Sequence, residues 1–230
     1  MSKIAIMGAM PEEIEPLLKK VENVKKIEYA NNSYYEATYK GKELVIAYSK
    51  IGKVFSSLTA STLIEKFGCQ KLLFSGVAGA INPELKIGDL IIADKLCQHD
   101  LDISIFGHDF GYVPEGAKFV ETDKALREVA KEVAKKNDLT LIEGTIATGD
   151  QFVASNERKE FIATNFQADA LEMEGASVAV VCDALNVPFF ILRAISDTAN
   201  DDAGVDFDEF MVGSAIISAN FILDMVESIE

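Results

Sequence analysis

Short, unbroken apolar runs recur along the chain, each followed by a turn of small residues and then by apolar residues three and four apart. The first run covers 3–7 and ends at Gly8-Ala9-Met10-Pro11-Glu12-Glu13. Pro11 suits the first position of a helix and Gly8 allows a tight turn into it, so a helix is predicted to about Lys20. Residues 33–40 and 43–49 flank Gly41-Lys42 and predict a hairpin. Lys50-Ile51-Gly52-Lys53 leads into a helix over 54–67. Residues 72–75 read as a buried strand closed by Gly76-Val77-Ala78-Gly79-Ala80, and 89–97 as another ending in Gln98-His99-Asp100.

Residues 101–116 form a long loop in which Phe106, Phe110 and Tyr112 stand among glycines. Residues 123–137 are amphipathic, with Leu126, Val129, Ala130, Val133 and Ala134 on one face and lysines in the last turn. A strand over 139–147 ends at Thr148-Gly149-Asp150-Gln151-Phe152-Val153. An apolar segment turns into a helix at Glu172-Met173-Glu174, and 189–192, opened by Pro188, suits a strand covered on both faces. That strand gives way to Arg193, Ser196 and Asp197. A largely apolar last helix covers 207–229. Strands alternate with helices without a linker, repeat or low-complexity tract. The pattern predicts one α/β domain over 1–230, three-layer α/β/α, around a mixed central sheet that is mostly parallel with at least one hairpin. Strand order is not legible in it.

Composition narrows the function. A net charge of −15 with 26% charged residues argues against nucleic acid and anionic membranes, both of which need clustered Lys and Arg. Cys69, Cys97 and Cys182 lack metal-ligand spacing, and only His99 and His108 could join them, so no metal and no cofactor is expected. Reduced thiols, and an apolar 4–10 segment that reads as a first strand rather than a leader, predict a cytoplasmic protein.

Ligands of open α/β sheets sit beyond the carboxyl ends of strands. Those ends supply Glu13, Asp150, Glu172, Glu174 and Asp197. No Gly-x-Ser-x-Gly elbow, Walker loop or Gly-x-Gly-x-x-Gly fingerprint is present. Carboxylate acid–base chemistry remains, of the kind that hydrolyses glycosidic bonds. Plainer readings stand beside it. Glu12 and Glu13 suit a first helical turn by the helix dipole alone, Glu172 and Glu174 a solvated helix start, and Asp197 a cap. Arg193, a cation at a buried strand end, calls for a carboxylate partner.

Gly8-Ala9-Met10-x-Glu-Glu13, Gly76-x-Ala-Gly79, Gly149-Asp150-x-Phe152, Glu172-Met173-Glu174 and Arg193-Ala-Ile-Ser-Asp197 follow in this order over essentially the whole chain. Together they resemble the 5′-methylthioadenosine/S-adenosylhomocysteine nucleosidases of the purine nucleoside phosphorylase superfamily. The stretches 48–54 and 74–79 resemble the branch that also hydrolyses 6-amino-6-deoxyfutalosine, a menaquinone precursor.

The resemblance implies Asp197 as the general acid at purine N7, oriented by Ser196, and Glu13 as the base that activates water. It implies Glu174 and Met173 at the ribose, Phe152 stacked on adenine, and Val153 offering its backbone to the base edge. Met10, Glu172 and Arg193 would belong to the same site, with Ala78 and Gly79 lining it. Ile51, Ile103, Phe106, Pro114 and Phe207 would form an apolar pocket for the 5′-substituent. The 103–114 loop would come from the partner of a homodimer. Pro11 and Val77 depart from the acidic residue and the Ser frequent at those places. A phosphorylase, or a non-catalytic nucleoside-binding protein, on the same fold are the competing readings. Two glutamates in the first helical turn count against the former because they would repel phosphate.

Overall fold

The structure, a computed structural model, describes residues 2–199 and 203–229. Its elements run β1 (Ile4–Gly8), α1 (Pro11–Leu18), β2 (Glu22–Tyr29), β3 (Asn32–Tyr39), β4 (Lys42–Tyr48), α2 (Lys53–Glu65) and β5 (Lys71–Ala80). There follow β6 (Leu90–Gln98), a single 3-10 turn at Ser104–Phe106, β7 (Val120–Glu121), α3 (Lys124–Lys136), β8 (Leu141–Thr148) and α4 (Asn156–Phe166). Then come β9 (Ala170–Glu172), α5 (Gly175–Ala184), β10 (Phe189–Asp197) and α6 (Ala203–Ser228).

Alternation along each apolar run divides the core between two helical layers. In β1, Ala5 and Met7 pack with α2 and α5, whereas Ile4 and Ile6 pack with α1, α3 and α6. Residues Val45 and Ala47 against Leu44 and Ile46, and Phe189 and Ile191 against Phe190 and Leu192, repeat the division. Burial on both faces is why these strands are apolar at every position. Truncating the fully buried Phe190 to Ala should cost about 3–5 kcal/mol. In α6 the stretch Phe210–Ser228 is long and apolar enough to cross a membrane. Its apolarity has a different cause: Ala219, Phe221, Ile222, Met225 and Val226 are buried, and the helix lies on β5, β10 and α1.

From the edge strand β2 the sheet runs through β3, β4 and β1 to β5. Strand β5 pairs with β10, and the path continues through β6, β8 and β9 back to β5, closing that end on itself. Among the described residues five strand pairings are parallel and five antiparallel, so the sheet is mixed but not mostly parallel.

Two strands outrun their prediction. Gly76 to Ala80 is no turn: β5 continues through it, with Gly76 opposite Arg193 and Gly79 opposite Asp197 on β10. Likewise β10 carries its polar residues Arg193, Ser196 and Asp197 within the strand, all buried. Strand β2 and helix α4 were not predicted.

Candidate active site

Near the ends of β1, β5, β9 and β10 opens a cavity of about 300 Å³. Its wall includes Met10, Glu13, Ile51, Ala78, Gly79, Phe152, Val153, Glu172, Met173, Glu174, Ser196, Asp197 and Phe207, all expected from the sequence. Ala9, Val77, Gln151 and Leu171 also line it and were not expected there. Ala9, Val77 and Leu171 are small or apolar neighbours of motif residues with nothing in their own chemistry to single them out, and Gln151 is the unspecified position between Asp150 and Phe152. Among the described lining residues there are four carboxyl groups and no Lys, Arg or His.

Helix α1 decides between the two adjacent glutamates. They point about 100° apart; Glu12 is exposed, while Glu13 is buried at 2% exposure. Glu13 Oε2 accepts the amides of Ala9 and Met10, the latter at 3.0 Å, and Oε1 accepts the Val77 amide at 3.1 Å. Burial raises its pKa; the nearby Arg193 charge and these three amides oppose the rise. Gly76 makes this geometry possible, since a Cβ there would stand 2.8 Å from Glu13 Oε1.

Asp197, on β10, lies beside Gly79, three residues beyond Gly76 on β5, where an added Cβ would come within 2.7 Å of Oδ1. Gly76 and Gly79 themselves lie about 10 Å apart along the strand. Ser196 Oγ donates to Asp197 Oδ2 at 3.0 Å. Asp197 Oδ1 also accepts the Ala199 amide at 2.9 Å, so the residue does fix the following turn, as its sequence position allowed.

The third group is paired. Arg193 Nη2 donates to Glu172 Oε2 at 2.7 Å, and the guanidinium lies over the Phe74 ring at 4.1 Å from its centroid. Glu172 also accepts Thr148 Oγ1 and the amides of Glu174 (3.1 Å) and Gly175 (2.7 Å). These bonds fix the turn from β9 into α5 that presents Met173 and Glu174. Neither Glu172 nor Glu174 is a solvated helix start; both are 6% exposed. Glu174 Oε1 accepts the Gly52 amide at 2.9 Å. Burial, then the charge of Glu172, pushes the Glu174 carboxyl up to about 8.

Four expected residues are not on the cavity wall. Arg193 is buried behind Glu172. Ile103, Phe106 and Pro114 lie on the 101–116 loop, away from this chain's own cavity, and Phe106 is 77% exposed. The second half of that loop is anchored, with Phe110 edge-on to Phe161 at 4.9 Å.

A sequence profile described as the phosphorylase superfamily matches residues 3–227. The chain belongs to that superfamily. Among its members, an aminodeoxyfutalosine nucleosidase of Campylobacter jejuni is 60% identical over 229 residues, covering 100% of both chains. A 5′-methylthioadenosine/S-adenosylhomocysteine nucleosidase of Anoxybacillus flavithermus is 35% identical, covering 98% of each. A mutant of the Helicobacter pylori nucleosidase, solved with 5′-methylthioadenosine in its active site, superposes with a TM-score of 0.98 at 49% identity over 100% of both chains. The superfamily fold therefore extends over the layers and mixed sheet described above.

Proposed function

We propose that this chain hydrolyses the N-ribosidic bond of 5′-methylthioadenosine, S-adenosylhomocysteine and 6-amino-6-deoxyfutalosine, releasing adenine. One observation carries the reading: buried Glu13 and Asp197 share an apolar cavity that has no cation among its described lining residues. A phosphorylase on this fold must hold a phosphate dianion, normally with Arg and backbone donors. Here four carboxyl groups would meet that anion, and Arg193 is committed to Glu172. Water suits the cavity and phosphate does not.

In this mechanism Asp197, oriented by Ser196, delivers a proton to N7 of the purine, making adenine a better leaving group. As the bond breaks, the ribose gains oxocarbenium character. Glu13 takes a proton from the attacking water. Its three amide bonds and the charge of Arg193 favour the ionised form that this step requires. Glu174, anchored through Oε1 by Gly52, offers its other oxygen to the ribose hydroxyls beside Met173. Phe152 stacks on the base, Val153 presents its backbone to the base edge, and Ala78 and Gly79 floor the pocket. Met10, Ile51 and Phe207 border the 5′-substituent. Glu172 faces the cavity, and Arg193 holds it there from behind. No cofactor or metal enters the reaction.

The whole chain acts as one domain on this reading, in the cytoplasm, where its three buried free thiols fit a reducing compartment. It works as a homodimer whose 103–114 loop, with Ile103, Phe106 and Pro114, completes the partner's site. Ile105 at 89% exposure, Phe106 at 77%, and Val54, Phe55 and Leu58 on α2 supply apolar surface for that contact. Light scattering should give twice the chain mass, and a monomer would remove this part of the proposal.

The main test incubates the protein with 5′-methylthioadenosine, with and without phosphate. Adenine released equally in both, with unphosphorylated methylthioribose, supports hydrolysis. A phosphate requirement with a sugar 1-phosphate product would make it a phosphorylase, and no release from any of the three nucleosides would leave a binding protein.

A further inference from the structure

Outside the cavity wall, three charged residues close a ring of hydrogen bonds at the pocket's edge. Lys53 Nζ donates to Asp100 Oδ1 at 2.7 Å, and Asp100 Oδ2 accepts the Asp150 amide at 2.8 Å. Asp150 Oδ1 then accepts the Lys53 amide at 2.8 Å. Lys53 and Asp150 each use one side-chain and one backbone group, and Asp100 uses both oxygens. The ring joins the first turn of α2 to the loops after β6 and β8. Lys53 at 19% and Asp100 at 23% side-chain exposure are partly withdrawn from solvent, so their ion pair is less screened than a surface pair, whereas Asp150 is exposed. Burial pushes the Asp100 carboxyl up, yet the bonds from Lys53 and the Asp150 amide together bring it below its ordinary value.

Both ends of this ring run into the site. One residue before Lys53, the Gly52 amide holds Glu174. Gly52 has φ +97°, and a Cβ there would stand 2.9 Å from Asp150 Oδ1, so the approach of α2 to the loop depends on glycine. One to three residues after Asp150 come Gln151, Phe152 and Val153 on the cavity wall. Beneath the same loop Gly149 packs flush on the His99 ring, where a Cβ would meet Cε1 at 2.4 Å.

We propose that Lys53, Asp100 and Asp150 are positioning residues that lock the base-binding loop and the ribose-binding Glu174 into one rigid unit. This rests on the nucleosidase reading above. Glu13 and Asp197 sit on α1 and β10, and none of the ring's bonds reaches them. Loosening the ring should therefore disturb substrate binding more than the acid–base steps. A displacement of about 1 Å in a positioned group can cost up to about 100-fold.

The test compares Asp100→Ala, Lys53→Met and Lys53→Arg with the wild-type chain on 5′-methylthioadenosine, and follows amide hydrogen exchange without substrate. Asp100→Ala and Lys53→Met should lower kcat/KM roughly 10- to 100-fold, chiefly through KM. Exchange should speed up together at residues 50–54 and 149–153. Lys53→Arg, which restores the charge and the donor, should recover most of the KM. Variants with wild-type KM and unchanged exchange would overturn the proposal, as would a loss confined to Tm or to kcat. A wild-type chain that releases no adenine would instead overturn the nucleosidase reading. The coupled change in exchange would still decide whether the ring holds the two segments together.

Discussion

The guanidinium of Arg193 and the carboxylate of Glu172 meet at 2.7 Å with both side chains at 3% exposure or less. Removing one partner of such a pair costs more than the pair is worth, because the other charge stays buried alone. Arg193→Met should destabilise the fold by about 3–5 kcal/mol. Combining it with Glu172→Gln should recover much of that loss, which thermal denaturation of the four proteins of the cycle measures. Arg193→Lys should not rescue, since a point charge cannot both stack on Phe74 and reach Glu172 as the planar group does.

The neighbours Glu12 and Glu13 provide an internal control. Glu13→Gln should lower kcat by about 10²–10⁴-fold, the usual contribution of a general base. Glu12→Gln, on the exposed side of α1, should stay within about twofold, as expected of a surface change far from such features. Equal losses in steady-state adenine release would mean that the base is misassigned.

Gly79→Ala probes the proposed acid, Asp197, without replacing its carboxyl. The new Cβ would stand 2.7 Å from Asp197 Oδ1 and 3.2 Å from the Ala199 Cβ, so the carboxyl must move. A displacement of this kind should cost about 10- to 100-fold in kcat. Single-turnover adenine release would show the effect, and an unchanged rate would mean that Asp197 tolerates displacement.

Activity should carry the mark of burial at Glu13. Its pKa is raised, so it remains protonated and unable to act as a base at pH values where an ordinary glutamate has ionised. The acidic limb of kcat/KM should therefore lie above about 4.3, the unperturbed glutamate value, with activity rising as pH rises through it. A limb at or below that value would contradict the assignment.

Stability should carry the mark of Glu174. A carboxyl raised in the fold to about 8 binds its proton more tightly folded than unfolded. Between the ordinary glutamate pKa and about 8 the folded state holds more protons, so this group lowers stability as pH rises through that window. Glu174→Gln removes the effect. It should raise Tm relative to wild type at pH 8.5, by roughly 2–4 °C per kcal/mol recovered, and do much less at pH 5. A pH-independent difference would argue against the shift.

The sequence was most legible where local chemistry and burial agree. The β3–β4 hairpin lies within a residue of its prediction, with the turn at Lys40-Gly41, both at positive φ, and Lys42 already in β4. Helix α3 begins where Asp123 caps it, accepting the Leu126 amide at 2.9 Å. Strand β2 escaped because Glu-Asn-Val-Lys-Lys-Ile-Glu-Tyr has almost no buried face; its pairing with β3 gives it order. The true lengths of β5 and β10 were hidden by the site itself. Glycines beside Glu13 and Asp197 looked like a turn, and buried Arg193, Ser196 and Asp197 looked like the end of an apolar run. Apart from Arg193, the site residues expected on strands fell into the cavity, whereas Ile103, Phe106 and Pro114 did not. A loop expected to serve a second copy leaves no such trace in one chain.

The absence of any Lys, Arg or His among the described residues of the cavity wall also bears on what the enzyme leaves alone. On the proposed reading the 5′ end of the nucleoside lies among Met10, Ile51 and Phe207, inside a wall bearing four carboxyl groups. Adenine nucleotides carry their negative charge at that end and would have to shed its hydration with nothing to replace it. An N-ribosyl hydrolase that accepted them would deplete the adenylates on which a cell runs. On the proposed reading, an apolar 5′ pocket with no described cation lets the same chemistry remove spent 5′-substituted nucleosides while it spares the energy currency.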